Sequence, residues 1–356
     1  MISFRVIGLM SGTSLDGLDI VDVNFERNEQ GCWSFNVNSS ELVPFDPKMQ
    51  KRLNSAFSLT AEEMSRLSAD LGRFYGEAVN SFIDAFNIPR NTIDFVASHG
   101  QTIFHQPDKG YTLQIGNGPE LSVVSNLPSV TDFRSKDVAL GGNGAPLIPV
   151  ADYLLFSDKA EAFLNLGGFS NLSYKNEDVV QSFDVCPVNI IVNDLMQQVG
   201  QTYDDQGGFG KNGIINQEVF KELNNLTYYT STGPRSLGWE WVKENVVPII
   251  QKEKEIVNRV RTIYEHIAFQ IGRALNDIHG DSILITGGGA KNDFLIERLK
   301  NNTSKEIIVP DEQLIDFKEA IGFAFLGVLR WRKENNVWSS VTGSKRDSSS
   351  GVIIRP

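Results

Sequence analysis

The fold class of this chain is decided by the segment Met10-Ser11-Gly12-Thr13-Ser14-Leu15-Asp16-Gly17. An apolar stretch at residues 4–9 precedes it and predicts a buried strand, and a second strand follows in which Val21, Val23 and Phe25 alternate with polar residues. Glycine and small side chains let the main chain of such a loop approach an anion closely and point its N–H groups at it. The chain therefore opens with two strands joined by a candidate anion-binding loop.

Two later glycine loops also come directly after a predicted strand. Gly167-Gly168 joins a strand at 162–166 to a strand at 169–174, and Gly287-Gly288-Gly289 lies between a buried strand at 282–286 and a helix capped by Asn292. Taken alone, a glycine loop of this kind is more often a simple tight turn than an anion-binding site. The third adds a helix N-terminus, whose dipole favours anions. None fits the P-loop or the Gly-x-Gly-x-x-Gly pattern. Three loops in this order predict two halves that clamp a nucleotide, and an internal duplication is a hypothesis.

Composition limits the classes of protein to consider. The chain has 356 residues, which predicts two domains or one two-lobed enzyme, and its net charge of −11 disfavours nucleic-acid and anionic-membrane partners. Its two cysteines, Cys32 and Cys186, exclude a disulfide framework and a cysteine-based zinc site. No signal-peptide pattern opens the chain, and the apolar run at 321–329 is too short for a bilayer. These features predict a cytoplasmic protein.

Several polar residues are candidates for chemistry, each with a structural alternative. Asp16 and Asp19 are either a turn residue and a strand-end residue or carboxylates that hold Mg²⁺ through water. Asp184 ends a strand and is either a cap for the helix that begins near Asn189 or a functional carboxylate. We expect Cys186 to be a small buried residue. His99 and His105 are expected to be polar contacts in a pocket or structural, and His266 and His279 to lie on helix surfaces.

The motifs taken together resemble those of one family, the anhydro-N-acetylmuramic acid kinases of the sugar-kinase/actin/Hsp70 superfamily. They occur in the family's order over nearly the whole chain. The matching stretches are residues 10–19, 98–105, 114–116, 132–134, 141–149, 165–171 and 287–292, Glu319-Ala320 and Phe323-Ala324.

The resemblance implies a fold and a reaction. The fold is α/β, a two-lobed actin-like ATPase (ribonuclease H-like) with a nucleotide cleft between the lobes, which we place at 1–130 plus 345–356 and at 131–344. The reaction consumes 1,6-anhydro-N-acetylmuramic acid, ATP and water and gives N-acetylmuramic acid 6-phosphate and ADP, a step in peptidoglycan recycling. Mg²⁺ is expected with ATP, and a homodimer is expected, with a small amino-sugar as the other partner.

The resemblance also implies roles for individual residues. Asp184 matches the aspartate that serves as base for the water. The sugar pocket is expected to contain His99, Gln101, Arg134 and Glu319, and we infer that Arg134 holds the lactyl carboxylate in a two-pronged contact. The ATP-phosphate residues are Gly12, Thr13, Ser14, Leu15, Asp16, Gly17, Leu18 and Asp19, together with Gly167, Gly168, Gly287, Gly288 and Gly289.

One stretch departs from the family pattern. The family has Asp-Thr-Gly-Pro-Gly-Asn where this chain has Asp184-Val185-Cys186-Pro187-Val188-Asn189. If those glycines needed a positive φ, Val188 would be strained there. Either the turn therefore differs, or the family's glycines serve close approach to substrate. Two alternative functions follow: a kinase of the same fold acting on a different amino sugar, or a catalytically silent nucleotide-binding sensor.

Overall fold

The computed structural model describes residues 2–12, 15–230 and 236–356. The chain divides into two compact units: unit 1 comprises Met1–Ser157 and Phe317–Pro356, and unit 2 comprises Asp158–Asp316. This division differs from the lobes expected from the sequence in two segments, residues 131–157 and 317–344. The expected lobe boundaries stay a prediction.

The strands alternate with helices along the chain. In chain order the strands are β1 (Ile2–Met10), β2 (Gly17–Arg27), β3 (Trp33–Pro44), β4 (Phe95–Ser98), β5 (Gln101–Gln106), β6 (Tyr111–Ile115), β7 (Ser129–Thr131), β8 (Ala162–Leu166), β9 (Phe169–Asn176), β10 (Val179–Pro187), β11 (Ser282–Thr286), β12 (Glu306–Ile308) and β13 (Val352–Ile354). The helices are α1 (Pro47–Asn54), α2 (Ala61–Ala85), α3 (Pro119–Ser125), α4 (Ser135–Ala139), α5 (Ile148–Leu155), α6 (Asn189–Gln197), α7 (Gly208–Lys211), α8 (Gln217–Asn224), α9 (Trp239–Asn245), α10 (Val247–Ile250), α11 (Ile256–Asn276), α12 (Asp293–Lys300), α13 (Glu312–Trp331) and α14 (Ser339–Thr342).

Unit 1 is built on a six-stranded sheet of order β13-β7-β4-β1-β2-β3. The strands β1, β2 and β3 are antiparallel, whereas β4 and β7 continue the sheet in parallel with β1. The last strand, β13, pairs antiparallel with β7, with Val352 opposite Thr131. The chain end thus returns to the sheet of the first strands, as the sequence predicted, and β5 and β6 form a separate two-stranded sheet.

Unit 2 repeats this topology. Its five-stranded sheet has the order β10-β9-β8-β11-β12, with β8, β9 and β10 antiparallel and β11 and β12 parallel to β8. In both units the first two strands form a hairpin joined by one of the predicted glycine loops. The repeated order supports the duplication hypothesis. The two-lobed α/β fold of actin-like ATPases that the resemblance implies is confirmed.

Local sequence signals explain how the main helices form. Thr60 caps α2 through a capping box, in which its hydroxyl accepts from the N–H of Glu63 and the Glu63 carboxylate accepts from the N–H of Thr60. The apolar side of α2 is buried in unit 1, and the apolar side of α11 is buried in unit 2. Among the described residues, no helix combines the length and apolar character that a membrane span requires.

Candidate active site

The second and third glycine loops lie side by side in unit 2. They follow the neighbouring parallel strands β8 and β11, so both emerge at the same edge of the sheet. A Cβ on Gly287 would collide with Asn165, and a Cβ on Gly289 would lie 2.7 Å from the Cβ of Leu166. These two glycines let one loop pack onto the strand that leads into the other. The structure therefore brings together two loops that are more than a hundred residues apart in sequence.

For two other glycines in these loops, the part of the chain that the structure describes gives no packing reason. A Cβ on Gly168 would come no closer than 3.7 Å to Ile190, and one on Gly288 no closer than 3.8 Å to Asn189. Neither residue has the positive φ that favours glycine. Space left open over bare main chain is what close approach by a phosphate requires. This observation favours the predicted role of both loops over the tight-turn alternative.

The divergent turn after Asp184 docks onto the glycine hairpin. Its strand, β10, continues to Pro187 with a bulge after Asp184, and Val188 has φ −125°. Valine adopts this φ without the strain of the left-handed region. The N–H of Val188 donates to the Gly168 carbonyl at 2.8 Å, and that of Asn189 donates to the Gly167 carbonyl at 3.2 Å. The turn is thus accommodated without the two glycines that the family uses.

Cys186 is fully buried beneath this turn, as expected. The Ser170 hydroxyl donates to the Cys186 carbonyl at 3.0 Å and accepts from the Cys186 N–H at 3.1 Å. Both main-chain groups of Cys186 are therefore satisfied by one serine of β9, which fixes the bulge.

The Asp184 carboxylate is held by donors from two directions. Its Oδ1 accepts from Nδ2 of Asn171 at 3.0 Å, and its Oδ2 accepts from the Ser236 hydroxyl at 3.1 Å and from the Leu237 N–H at 2.9 Å. The Tyr228 hydroxyl donates to the Asp184 carbonyl at 2.6 Å. The residue that caps α6 is Val188, so the helix-cap alternative for Asp184 is wrong. The side chain is half-buried and oriented.

The first glycine loop lies in unit 1, directly after β1. The N–H of Leu15 donates to the Gly12 carbonyl at 3.4 Å, and Leu15 has φ +56°. The exposed Asp16 accepts from the N–H of Gly17 at 3.1 Å. Thr13 and Ser14 lie outside the described residues. The described part presents Asp16 to solvent.

The remaining residues predicted for this loop belong to β2. Leu18 is fully buried in the core, and a Cβ on Gly17 would meet the Val43 carbonyl on the neighbouring strand. Asp19 is half-buried and pairs in register with Met10. Gly17 and Leu18 have packing roles, and their contact with ATP phosphates stays a prediction.

Three of the predicted sugar-pocket residues gather in unit 1. Arg134 donates from Nε to Nε2 of the buried His99 at 2.8 Å and from Nη1 to the Gly144 carbonyl at 2.7 Å. Since guanidinium only donates, His99 accepts through Nε2 and is neutral. Burial, and next the charge of Arg134, hold the pKa of His99 well below its usual value. Both side chains also contact the Phe323 ring.

Glu319 completes the charge balance of this group. Its side chain reaches solvent, but desolvation by the surrounding protein raises its pKa, and the charges of Arg134 and Lys318 partly offset that rise. Burial lowers the pKa of Arg134 to about 10, while Glu319 raises it. Arg134 therefore stays charged at neutral pH. Lys318 itself forms a buried ion pair with Asp152 at 2.8 Å.

Gln101 is connected to the first glycine loop rather than to Arg134. The hydroxyl of Ser11 donates to Oε1 of Gln101, and both residues are buried. Ser11 immediately precedes Gly12. A predicted sugar-pocket residue thus fixes the start of a predicted phosphate loop within the same unit.

Two further histidine expectations have different outcomes. His105 makes a polar contact from Nδ1 to the Thr112 hydroxyl at 3.0 Å, as expected. The expectation that His266 lies on a helix surface is wrong, since it is buried between Tyr229 at 2.9 Å and Asn224 at 2.7 Å. Its position in the middle of α11, with the apolar Ile263 and Phe269 at i−3 and i+3, could have predicted burial.

The predicted magnesium residues do not form a protein cage. Within residues 2–12, 15–230 and 236–356, no group of three or more His, Cys, Asp or Glu side chains could hold a metal ion. Mg²⁺ bound with a nucleotide takes most of its ligands from phosphates and water and needs only one or two carboxylates. The exposed Asp16 and the half-buried Asp19 fit that mode of binding.

The sequence reasoning did not single out the residues that hold Asp184. Asn171 falls in a stretch that matches the family, but Ser236 and Tyr228 carry no motif. The contacts of Tyr228 and Ser236 with Asp184 span 44 and 52 residues and arise only when β10 and the segment after α8 fold together.

The comparison with known families decides the identity of the chain. The family model for anhydro-N-acetylmuramic acid kinase matches residues 4–356. The chain belongs to the anhydro-N-acetylmuramic acid kinase family. Membership confirms the resemblance drawn from the motifs and the kinase activity that it implies. Because kinases transfer the γ-phosphoryl group of ATP, it also supports ATP as the cosubstrate.

Relatives named anhydro-N-acetylmuramic acid kinase span the whole chain. The protein of Haemophilus influenzae (strain ATCC 51907 / DSM 11121 / KW20 / Rd) is 31% identical, and the alignment covers 98% of this chain and 97% of the relative. That of Aliivibrio fischeri (strain ATCC 700601 / ES114) is 32% identical and covers 98% of both. Neither anhydro-N-acetylmuramic acid kinase differs much in length from this chain, so the family motifs can be compared end to end.

Solved structures outside the anhydro-N-acetylmuramic acid kinase family are more distant. One is the activator of the 2-hydroxyisocaproyl-CoA dehydratase from Clostridium difficile with bound ADPNP (11% identity, TM-score 0.46, covering 91% of this chain and 94% of that chain). Another is a ROK family glucokinase from Streptomyces griseus in complex with glucose and AMPPNP (11% identity, TM-score 0.41, covering 91% and 99%). The fold assignment therefore rests on the strand orders of the two sheets and not on these structures.

Proposed function

We propose that this chain opens 1,6-anhydro-N-acetylmuramic acid with water and phosphorylates the freed O6, giving N-acetylmuramic acid 6-phosphate and ADP. In this reaction water attacks the anomeric carbon, and the bond from that carbon to O6 breaks. O6 then forms a bond to the γ-phosphorus while ADP leaves. The water's proton passes to Asp184. The proposal deepens the family assignment by giving roles to residues of this chain.

The observation that carries the proposal is the setting of Asp184. Its carboxylate is held by Asn171, Ser236 and Leu237, and its turn docks on the open glycine hairpin at Gly168. A carboxylate has about four lone-pair sites, and the described donors use three, so one is left for a water. General-base help of this kind contributes about 10²–10⁴-fold to a rate. A phosphate over Gly168 would lie next to this turn.

The glycine loops supply the other requirement, which is neutralisation and positioning of phosphate charge. We assign ATP-phosphate contacts to residues 12–19, Gly167, Gly168 and Gly287 to Gly289. Asp16 and Asp19 are the candidates to hold Mg²⁺ through water, and when bound the ion neutralises phosphate charge.

His99, Gln101, Arg134 and Glu319 are assigned to the amino sugar. Arg134 uses Nε and Nη1 on His99 and Gly144. Its remaining nitrogen, Nη2, can bind the lactyl carboxylate of the substrate through a single charge-assisted hydrogen bond. The two-pronged contact expected from the sequence would require Arg134 to release Gly144.

The test is ADP release measured with and without the anhydro-sugar. Turnover that depends on 1,6-anhydro-N-acetylmuramic acid supports the proposal. Turnover with another amino sugar alone would favour a kinase of different specificity, and ATP binding without any turnover would favour a sensor. Phosphate at O6 and a free anomeric centre in the product, read by NMR, separate the proposed reaction from plain ATP hydrolysis.

A homodimer, a cytoplasmic location and a role in peptidoglycan recycling are also proposed, on the basis of the family resemblance. Sedimentation equilibrium of the purified chain tests the dimer directly. Accumulation of the anhydro-sugar in cells that lack this chain tests the recycling role.

A further inference from the structure

We infer that Asn171 is a positioning residue that orients the Asp184 carboxylate, and that Ser182 and Ser173 fix the orientation of Asn171 in turn. This inference rests on the proposed role of Asp184 as the base for water. It assigns a function to a polar row that crosses two strands of unit 2, here called the β9–β10 relay: Ser173, Ser182, Asn171 and Asp184.

The strand register creates the relay. Asp184 of β10 lies directly opposite Asn171 of β9, and Ser182 lies directly opposite Ser173. Residues two apart on a strand share a face, so all four side chains point to one side of the sheet. The contacts are 3.0 Å between the two serine hydroxyls, 2.8 Å from Ser182 Oγ to Asn171 Oδ1, and 3.0 Å from Asn171 Nδ2 to Asp184 Oδ1.

The chemistry of the four groups gives the relay one direction. An ionised carboxylate only accepts, so Asn171 must turn its NH₂ towards Asp184. Its carbonyl oxygen then accepts the proton of Ser182, and Ser182 in turn accepts from Ser173. Each donor is polarised by the next, which strengthens the bond that ends on the carboxylate. Ser173 and Ser182 are both buried, so water does not compete for these protons.

The consequence is a defined direction for the lone pair that faces the water. Asn171 fixes Oδ1 from the sheet, while Ser236 and the Leu237 N–H fix Oδ2 from the loop. These described groups are uncharged, and the Tyr228 hydroxyl donates to the main-chain carbonyl of Asp184. Without Asn171, Oδ1 loses the hydrogen bond that it accepts from the sheet, and the carboxylate is held only from the loop side. Misdirection of a base lowers kcat more than it changes substrate binding.

The decisive variant is Asn171→Asp, which keeps the shape of the side chain and replaces the donor by a second carboxylate. Two carboxylates at this separation share one proton. We expect the acid limb of the pH profile of kcat/KM to move up by about one pH unit or more, because mutual repulsion keeps a proton on the pair. If the side chain at position 171 did not face the base, the substitution would leave that limb in place.

Two milder variants separate orientation from charge. Asn171→Leu removes the donor without adding charge, so we expect kcat to fall about 10–100-fold, with both KM values within about twofold. Ser182→Ala leaves Asn171 in place but removes the bond that orients it, and we expect a fall in kcat of about three- to tenfold. The order of these effects follows the distance of each change from Asp184.

The matched control is Asn176→Asp. Asn176 lies on the same strand and is exposed, roughly 16 Å along β9 from Asn171 at the usual rise per residue. At that distance salt screens the new charge, so the pH profile should match that of the unmodified protein.

The outcomes distinguish this inference from the function on which it rests. An acid limb that does not move in folded Asn171→Asp, while Asp184→Asn is inactive, overturns the positioning role and leaves the base intact. Full activity of Asp184→Asn overturns the proposed function itself. If Asn171→Asp does not fold, wild-type kcat in Ser182→Ala overturns the inference.

Discussion

Arg134 donates from Nε to Nε2 of His99 across 2.8 Å, so a buried histidine serves as an acceptor for a charged guanidinium. Neutral imidazole is a suitable partner only because burial and the arginine charge both hold the pKa of His99 low. The pair leaves Nη2 of Arg134 without a contact among the described residues. This geometry gives the first prediction its direction.

Arg134→Lys should raise the KM for the anhydro-sugar about 10- to 100-fold while the KM for ATP stays within about twofold. Lysine has one ammonium group in place of the planar guanidinium, so it cannot hydrogen-bond to His99, Gly144 and a ligand at the same time. The loss of a hydrogen bond to a charged group costs about 1.5–3 kcal/mol of binding free energy. Steady-state kinetics with both substrates measure the effect. The exposed Arg66→Lys on α2 is the control. An unchanged sugar KM would remove Arg134 from the sugar site.

Asp184→Asn should lower kcat by about 10²–10⁴-fold, because an amide cannot take up the water's proton. ATP binding, measured by calorimetry, should remain close to that of the unmodified protein. Asp178→Asn is the matched control, since the Asp178 side chain is fully exposed in the turn between β9 and β10. Near-normal turnover of Asp184→Asn would exclude this carboxylate as the base.

Gly288→Ala and Gly287→Ala should have different effects. A methyl group on Gly288 meets nothing closer than 3.8 Å among the described residues, so stability should hold while the Kd for ATP rises about tenfold or more. Gly287 has φ +82° and packs against Asn165, so alanine there should cost at least about 1–2 kcal/mol of stability. Thermal melting and ATP titration of both variants separate the two roles. Unaltered ATP affinity in Gly288→Ala would count against a phosphate at this loop.

Asp137→Ala should lower the free energy of unfolding by about 3 kcal/mol. The buried Asp137 carboxylate accepts from the Gly144 N–H and the Thr342 hydroxyl, both at 2.8 Å, and each donor left unpaired costs about 1–3 kcal/mol. Because the Gly144 carbonyl also holds Arg134, the KM for the sugar should rise as well. Urea denaturation and kinetics test both effects, with the exposed Asp84→Ala on α2 as control. A loss of stability below about 0.5 kcal/mol would contradict the assigned network.

The stability of the protein should fall as the pH drops below about 6.5, in part because of His266. Burial lowers the pKa of His266 from its ordinary value of 6.5 to about 3, so between these values the unfolded chain takes up a proton that the folded chain does not. The contribution of neutral His266 to the free energy of unfolding is fully present above pH 6.5. It decreases by about 1.4 kcal/mol for each pH unit below that value.

The variant His266→Gln should show a shallower decline in stability between pH 6.5 and 4, because it removes one such proton. The buried His99 contributes a second slope of the same sign, which this variant leaves in place. Urea denaturation over this pH range gives both slopes, and the exposed His279→Gln should keep the slope of the unmodified protein. Identical slopes in His266→Gln and the unmodified protein would show that His266 is protonated in the folded state.

Much of the site was readable from local sequence because its parts are local. The hairpin loops follow from apolar strands flanking short runs of glycine, and the α2 cap follows from Thr60 and Glu63 three residues apart. Asn292 was likewise predicted to cap α12 and accepts from the Leu295 N–H at 2.9 Å. Capping and turn chemistry depend on neighbours within a few residues, so sequence order is enough.

Val188 shows where local reasoning stopped. From the sequence, either the turn differs from that of the family, or the family's glycines serve close approach to substrate. In the structure the turn contains a bulge in β10, which depends on Ser170 of another strand to satisfy Cys186. A register shift of this kind is set by pairing between strands, which no window along the chain contains.

The sequence by itself determined the repeated α/β plan, the three glycine loops and the family, since these depend on periodicity, small residues and motifs in order. Only the tertiary structure decided which glycines are open to a ligand, that Asn171, Ser236 and Leu237 aim Asp184, and that His99 is a neutral acceptor for Arg134. Those properties depend on burial and on donor–acceptor distances between residues far apart in the chain. They exist only once the strands have paired.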